Sequence, residues 1–187
     1  RAFPLQAINY CLKSANISIN DIHHVAFFWQ PWRGIWKRLY YTISNLPKSL
    51  DIQSKNIKTG LDLLSAKRVF RNYTSYKGPF YFIDHHLCHA SSAFFSSGFE
   101  KSAILSIDGT GETETCWIGI YNGREFTKCK SIKWPHSLGH VYAAVTQYLG
   151  FEPFQDEYKV MGLSSYGKPE YIDEFRKIIR INREGPF

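Results

Sequence analysis

The strongest constraint on the fold is an apolar run at residues 103–107 that ends in the turn sequence Asp-Gly-Thr-Gly at residues 108–111. Two more strand-like runs follow, at residues 115–121 and 125–132. The Asn-Gly pair between them, at residues 122–123, is a strong β-hairpin signal. This half of the chain is therefore predicted to hold a strand, a glycine-bearing turn and a hairpin.

Helical and strand-like patterns alternate before and after this unit. Apolar residues that recur every three or four positions indicate helices, and short apolar runs bounded by turn residues indicate strands. We predict helices at 3–15, 86–97, 137–149 and 169–181, strands at 25–29 and 80–84, and an irregular segment at 151–166. Helices alternating with strands and followed by a hairpin predict an α/β fold.

The domain organisation is that of an incomplete fold. We assign residues 1–100 to part of a first α/β subdomain and residues 101–187 to the start of a second. Residues 32–76 contain mixed helical patterns, broken at Pro47 and around Gly60, and are predicted to be a helical insertion. Because the chain begins with Arg1 and has no leader pattern, we expect it to be an internal piece of a longer protein.

Charge and cysteine content narrow the function classes. The net charge of +7 is concentrated in residues 33–77, which contain ten basic and two acidic residues. A solvated basic helical face is the favoured interpretation; nucleic-acid binding and attraction of a phosphorylated substrate are the alternatives. No apolar run approaches membrane-spanning length, so we expect no membrane partner. Four separated cysteines without a CxxC pair fit a reducing compartment, so we expect a cytoplasmic protein.

A pair of histidines four residues apart is the densest chemical signal. On a helix, His85 and His89 fall on one face, close enough to share a metal ion. The zinc-protease form of this motif has Glu directly after the first His, but here that residue is His86, which disfavours protease chemistry. The alternative is that these histidines only make local hydrogen bonds.

Asp108 lies at the end of the apolar run, next to Gly109 and Gly111. Such a loop allows backbone N–H groups to approach phosphate, or the carboxylate to approach a metal. One carboxylate added to two imidazoles leaves open coordination positions, which a catalytic metal requires. An ordinary hairpin turn is the alternative.

Two further segments have polar side chains suited to a site. His136 offers an acid/base group or a substrate contact, and Ser137 is predicted to cap the helix that follows. Lys159, with Asp156 and Glu157, precedes an apolar turn and suggests the wall of a site. A solvated charge cluster is the alternative for this second segment.

Taken in order, these motifs resemble the O-carbamoyltransferases of the NodU/CmcH type. The resemblance covers nearly the whole chain, and residues 32–76 match least well. The matching segments are FPLQAI at 3–8, HHLCHASSAF at 85–94, DGTGE at 108–112, PHSLG at 135–139, DEYKVMGL at 156–163 and YG at 166–167.

The resemblance implies a fold and a reaction. The fold is the actin/sugar-kinase-like (ribonuclease H-like) nucleotide-binding fold. A C-terminal YrdC-like domain makes carbamoyl-adenylate from carbamoyl phosphate and ATP, and the N-terminal domain transfers the carbamoyl group to a hydroxyl of a natural-product or sugar-type acceptor. That C-terminal domain and a first strand with a His-Asp motif lie outside this chain, so we expect it to be inactive alone. An open sheet edge would favour association into a homodimer.

The resemblance also implies roles for single residues. The family's metal, usually iron, corresponds to His85, His89 and Asp108. The nucleotide, as ATP or carbamoyl-adenylate, would lie along Gly109, Gly111 and Glu112. The groups that contact phosphate or carbamoyl, and so act in catalysis, would be His136 and Lys159.

Three other functions fit part of the pattern. A sugar-kinase-like phosphotransferase on the same fold would need an aspartate base and a nucleotide but no histidine-bound metal. A nucleic-acid-binding module would use residues 33–77 and would bind less tightly as salt rises. A tRNA-modifying transferase would differ only in its acceptor.

Overall fold

A computed structural model of the chain describes residues 3–46 and 50–180. These residues form a mixed α/β structure, as predicted. The chain divides into two compact units, Arg1–His85 and His86–Phe187. The subdomain division at residue 100 stays a prediction.

The first unit combines helices with two short parallel strands. Its elements are α1 (Leu5–Ser14), a 3₁₀ turn (Ile19–Asp21), β1 (Val25–Phe27), α2 (Ile35–Ser44), α3 (Leu50–Thr74) and β2 (Phe80–Phe82). Val25 pairs with Phe80, and Phe27 pairs with Phe82. The rings of Phe27, Phe80 and Phe82 pack together with centroids 5.2–6.1 Å apart, so aromatic contacts reinforce a very short strand pair.

Helices α2 and α3 lie in the range predicted as a helical insertion. Pro47, one predicted break, lies outside the described residues. The break predicted around Gly60 is wrong, because α3 continues through this residue. On α2 the side chain of Trp36 is 81% exposed, and Tyr40 and Ile43, one and two turns further on, are exposed as well. The exposed surface of α2 therefore includes several large apolar side chains.

The second unit packs one helix against a three-stranded antiparallel sheet. Its first four elements are α4 (His85–Ser97), β3 (Ser102–Ile107), β4 (Glu114–Tyr121) and β5 (Phe126–Lys133). The strand order is β3-β4-β5. The first residue of α4, His85, is also the last residue of the first unit, and the rest of this continuous helix belongs to the second.

The core of the second unit sets which face of α4 is buried. Residues four apart on the helix, His86, Ala90 and Phe94, are buried. Ala90 and Phe94 join Ile104 and Trp117 in one apolar cluster. Because His85 and His89 each precede a buried residue by one position, they lie about 100° around the helix from the buried face.

The hairpin between β4 and β5 is confirmed. The Asn122 side-chain oxygen accepts hydrogen bonds from the backbone N–H groups of Arg124, at 2.9 Å, and Glu125, at 3.0 Å. Gly123 has a φ of +97°, which glycine adopts without steric cost. The Asn-Gly pair therefore forms the turn for the reason the sequence predicts.

Three helices follow the sheet: α5 (Leu138–Tyr148), α6 (Glu157–Ser164) and α7 (Ile172–Ile178). The prediction that residues 151–166 are irregular was wrong, because α6 lies within them. Its apolar residues form no stripe, so periodicity did not reveal it; polar contacts at its start stabilise it instead. The Glu157 carboxylate accepts a hydrogen bond from the Phe154 N–H at 2.6 Å, and Lys159 pairs with Asp156 at 2.8 Å.

Candidate functional site

The structure brings His85, His89 and Asp108 together. The two histidines lie one turn apart at the start of α4, and Asp108 directly follows β3. One ligand atom from each, two imidazole nitrogens and a carboxylate oxygen, lie within 4.8 Å of one another. Helix periodicity and the end of the strand thus place these side chains where the sequence predicts.

A backbone contact orients the His85 imidazole. Its Nδ1 lies 3.3 Å from the carbonyl oxygen of Phe28, and its ring packs against Trp29 with centroids 5.0 Å apart. A carbonyl can only accept, so Nδ1 carries the proton in this contact. The lone pair is then on Nε2, and a hydrogen bond of this kind is what usually fixes the tautomer of a metal-binding histidine.

His89 and Asp108 already contact each other. The His89 Nε2 lies 3.3 Å from Asp108 Oδ2, and both side chains are partly exposed. The other carboxylate oxygen, Oδ1, accepts the Gly109 N–H at 2.6 Å, which fixes the orientation of the carboxylate. Solvent and ions can therefore reach a carboxylate whose position the backbone holds.

This donor set fits a divalent transition metal. Ligands of one ion at about 2.1 Å are separated by roughly 3–4 Å, so small rotations of these side chains would close them around an ion. Two imidazoles and one carboxylate suit iron or zinc and leave coordination positions open. That the cluster binds a metal stays a prediction.

The third histidine of the motif, His86, has a different role. Its side chain is fully buried, with Nε2 at 3.0 Å from the Glu114 carbonyl oxygen and Nδ1 at 2.9 Å from Ser106 Oγ. Nε2 must donate to the carbonyl, so Nδ1 accepts from the serine. The same Glu114 carbonyl accepts the Gly111 N–H at 2.7 Å. His86 thus supports the turn that follows Asp108. For this histidine, the alternative of local hydrogen bonding that the sequence analysis left open is the one observed.

The predicted nucleotide-binding residues lie on or next to this turn. Gly109 and Gly111 use their N–H groups within the turn itself, on Asp108 and on the Glu114 carbonyl. Glu112 is only 4% exposed. The turn is therefore well ordered by its own contacts, and nucleotide binding by these residues stays a prediction.

The N-terminus of α5 is tightly packed against the same turn. Ser137 caps α5 as predicted, accepting the His140 N–H at 3.1 Å, and donates its own hydroxyl to the Gly109 carbonyl at 2.7 Å. A Cβ at Gly139 would lie 2.7 Å from both Cα and N of Gly109. Only glycine allows the helix and the turn to approach this closely.

Replacing Gly139 with alanine is therefore expected to displace the turn and lower stability by about 1–3 kcal/mol, because a methyl group would meet backbone atoms that cannot rotate away. Thermal unfolding of the Gly139→Ala protein measures this effect. Gly162→Ala is the matched control: it is also a helical glycine, but nothing lies within 4 Å of its added Cβ. An equal effect in both variants would contradict the close packing.

The two predicted catalytic residues lie on the surface of the second unit. His136 is exposed and follows β5; its carbonyl accepts the Thr115 hydroxyl at 2.6 Å, and it lines a groove of about 630 Å³ with Ser137 and His140. Lys159 is exposed on α6 and pairs with Asp156. Within residues 3–46 and 50–180, the structure does not bring these two residues into the cluster of His85, His89 and Asp108.

His140 is a site residue that motif spacing does not indicate. It lies in the first turn of α5, with its ring 5.7 Å from that of Phe154. Burial lowers the pKa of the His140 imidazole, and the charge of Asp108 partly opposes this. The signal available in the sequence was its position three residues after the predicted cap Ser137.

The chain is thus an α/β protein with a cluster of metal-binding residue types beside a glycine-bearing turn. It belongs to the carbamoyltransferase N-terminus family, whose model matches residues 1–183. The resemblance to carbamoyltransferases is therefore confirmed. Among residues 3–46 and 50–180, no helix has both the length and the apolar character of a membrane span.

Individual relatives agree with this assignment. The uncharacterized protein sll1178 of Synechocystis sp. is 37% identical over 181 residues, which cover 92% of this chain and 29% of that protein. The nodulation protein NolNO of Sinorhizobium fredii is 34% identical over 198 residues, which cover 98% of this chain and 28% of that protein. The uncharacterized protein MJ1058 of Methanocaldococcus jannaschii is 29% identical over 167 residues, which cover 80% of this chain and 27% of that protein. The chain spans less than a third of the length of these relatives.

Proposed function

We propose that this chain is the carbamoyl-transferring part of a cytoplasmic O-carbamoyltransferase. The donor is carbamoyl-adenylate, made from carbamoyl phosphate and ATP, and the acceptor is a hydroxyl of a natural product or sugar. The observation that most supports this proposal is the convergence of His85, His89 and Asp108 in a member of a carbamoyltransferase family.

The reaction moves one carbamoyl group between two oxygens. The acceptor oxygen forms a bond to the carbamoyl carbon, the bond from that carbon to the phosphate oxygen breaks, and AMP leaves with the bonding electrons. The hydroxyl proton passes to a base, for which His136, exposed at the groove, is our candidate. A bound divalent metal, iron in this proposal, would supply positive charge that orients and polarises substrate oxygens.

The chain's own residues would position the substrates. His85, oriented by the Phe28 carbonyl, and His89 would hold the metal with Asp108. The adenylate would lie along Gly109, Gly111 and Glu112. Lys159 would contact phosphate or carbamoyl, for which it would have to exchange its ion pair with Asp156 for the substrate.

We further propose that the complete fold is of the actin/sugar-kinase type. An apolar strand that ends in a glycine-bearing turn and continues into an antiparallel hairpin supports this proposal. In open α/β sheets, ligands bind beyond the carboxyl ends of strands. Asp108, directly after β3, is at such a position.

The test is a product assay on the full-length protein. Carbamoyl transfer through an adenylate consumes one water molecule, releases AMP, pyrophosphate and the phosphate of carbamoyl phosphate, and moves label from [¹⁴C]carbamoyl phosphate to a hydroxyl-bearing acceptor. We expect labelled acceptor and AMP, both requiring carbamoyl phosphate. ADP together with a phosphorylated acceptor, formed without carbamoyl phosphate, would contradict the proposal and identify a phosphotransferase.

A further inference from the structure

We propose that His140 is an additional binding residue, whose imidazole donates a hydrogen bond to the phosphate of an adenylate bound at residues 108–111. This inference rests on the proposed function, because it takes the adenylate as the ligand of that turn. It goes beyond that function by assigning to α5 a side chain that donates a hydrogen bond to the phosphate.

The first support is the fixed distance between α5 and the turn. Gly139 packs against Gly109 so closely that a Cβ would be 2.7 Å from its backbone, and Ser137 hydrogen bonds to the Gly109 carbonyl at 2.7 Å. His140 is the next residue after Gly139. Its backbone therefore cannot move away from the turn without breaking both contacts.

The second support is the position of the imidazole itself. The Cδ2 and Nε2 atoms of His140 lie 3.7 Å and 3.8 Å from the position that a Cβ on Gly109 would occupy. The ring of Phe154 packs edge-to-face against it at 83°. No hydrogen-bond partner of either ring nitrogen is found among residues 3–46 and 50–180. A polar ring edge is thus held over the turn with its hydrogen-bonding capacity unused.

The third support is the shortage of other donors. The N–H groups of Gly109 and Gly111 are engaged within the turn. These two N–H groups would have to leave their partners to bind a phosphate, so a donor on a nearby side chain would strengthen phosphate binding at this turn. A neutral imidazole still has one N–H to donate, and a hydrogen bond to a charged phosphate is stronger than one between neutral groups.

The test compares AMP and adenosine binding by calorimetry in the full-length protein. His140→Leu retains an apolar side chain against Phe154 but removes the donor, and His140→Gln retains a donor at a similar distance. We expect His140→Leu to weaken AMP binding about tenfold or more and leave adenosine binding unchanged. His140→Gln should restore most of the loss. Tyr148→Ser, an 89% exposed position at the other end of α5, is the control and should change neither.

Several results would overturn this inference. They are unchanged AMP binding in His140→Leu, an equal loss for AMP and adenosine, no recovery in His140→Gln, and no AMP binding by the wild-type protein. A wild-type protein that binds AMP through His140 but transfers no carbamoyl group would contradict only the proposed function. If His140→Leu fails to fold, His140→Ala, which also removes the donor, takes its place, and unchanged AMP binding in that variant overturns the inference.

Discussion

Replacing His89 with alanine is expected to weaken metal binding by about 100-fold or more and to abolish carbamoyl transfer. Loss of a group that merely supports a ligand typically costs 10–100-fold in metal affinity, so loss of a ligand should cost at least as much. His89 is half-exposed and its imidazole contacts the exposed side of Asp108 rather than the core, so the fold should survive the change. Metal content and iron titration of the purified full-length protein measure the effect.

Ser96→Ala is the matched control for this prediction. Ser96 lies on the same helix, is exposed, and donates its hydroxyl to backbone carbonyls of its own helix. It should keep the wild-type metal content, and circular dichroism should show equal helicity in both variants. A His89→Ala protein that retained wild-type metal content and activity would remove the metal centre from the proposed function.

His86→Ala is expected to destabilise the second unit by about 3 kcal/mol while leaving the metal ligands themselves intact. The change empties a fully buried position and removes the partner of Ser106 Oγ. The Glu114 carbonyl would keep one hydrogen bond, from Gly111, which limits the loss. Hydrogen exchange of α4 and β3 in the full-length protein measures the effect locally.

His136→Ala serves as the control for stability, because His136 is exposed in the same unit. Its removal should leave the exchange of α4 and β3 unchanged. The effect of His86→Ala should also persist when a chelator is present, since it arises from packing and not from metal binding. Unchanged exchange in His86→Ala would show that the buried hydrogen bonds contribute little.

The sequence predicted the parts of this molecule that depend on local rules. Helix periodicity placed His85 and His89 on one face, and an apolar run placed Asp108 at the end of a strand. The Asn-Gly pair predicted the hairpin, and Ser137 predicted a helix cap. Each of these follows from the preferences of a few neighbouring residues.

The parts that the sequence did not reveal depend on contacts between elements. The burial of His86 between α4 and the turn after β3 requires knowledge of their packing. The position of His140 depends on Gly139, because only a residue without a Cβ lets α5 approach the turn so closely. This close approach is seen only once the turn and the helix are packed together. Helix α6 lacks an apolar stripe, so its formation depends on polar contacts at its start rather than on periodicity.

The pairing of the strands has a consequence for the order of folding. In the second unit, β3, β4 and β5 are neighbours both in sequence and in space, so each pairing closes only a short loop. In the first unit, Val25 pairs with Phe80, and the chain between these two residues includes α2 and α3, so this pairing closes a long loop. Loop-closure entropy disfavours such distant pairings and slows them. We therefore expect the sheet beside Asp108 to form earlier than the β1–β2 pair, although the ribosome makes it later.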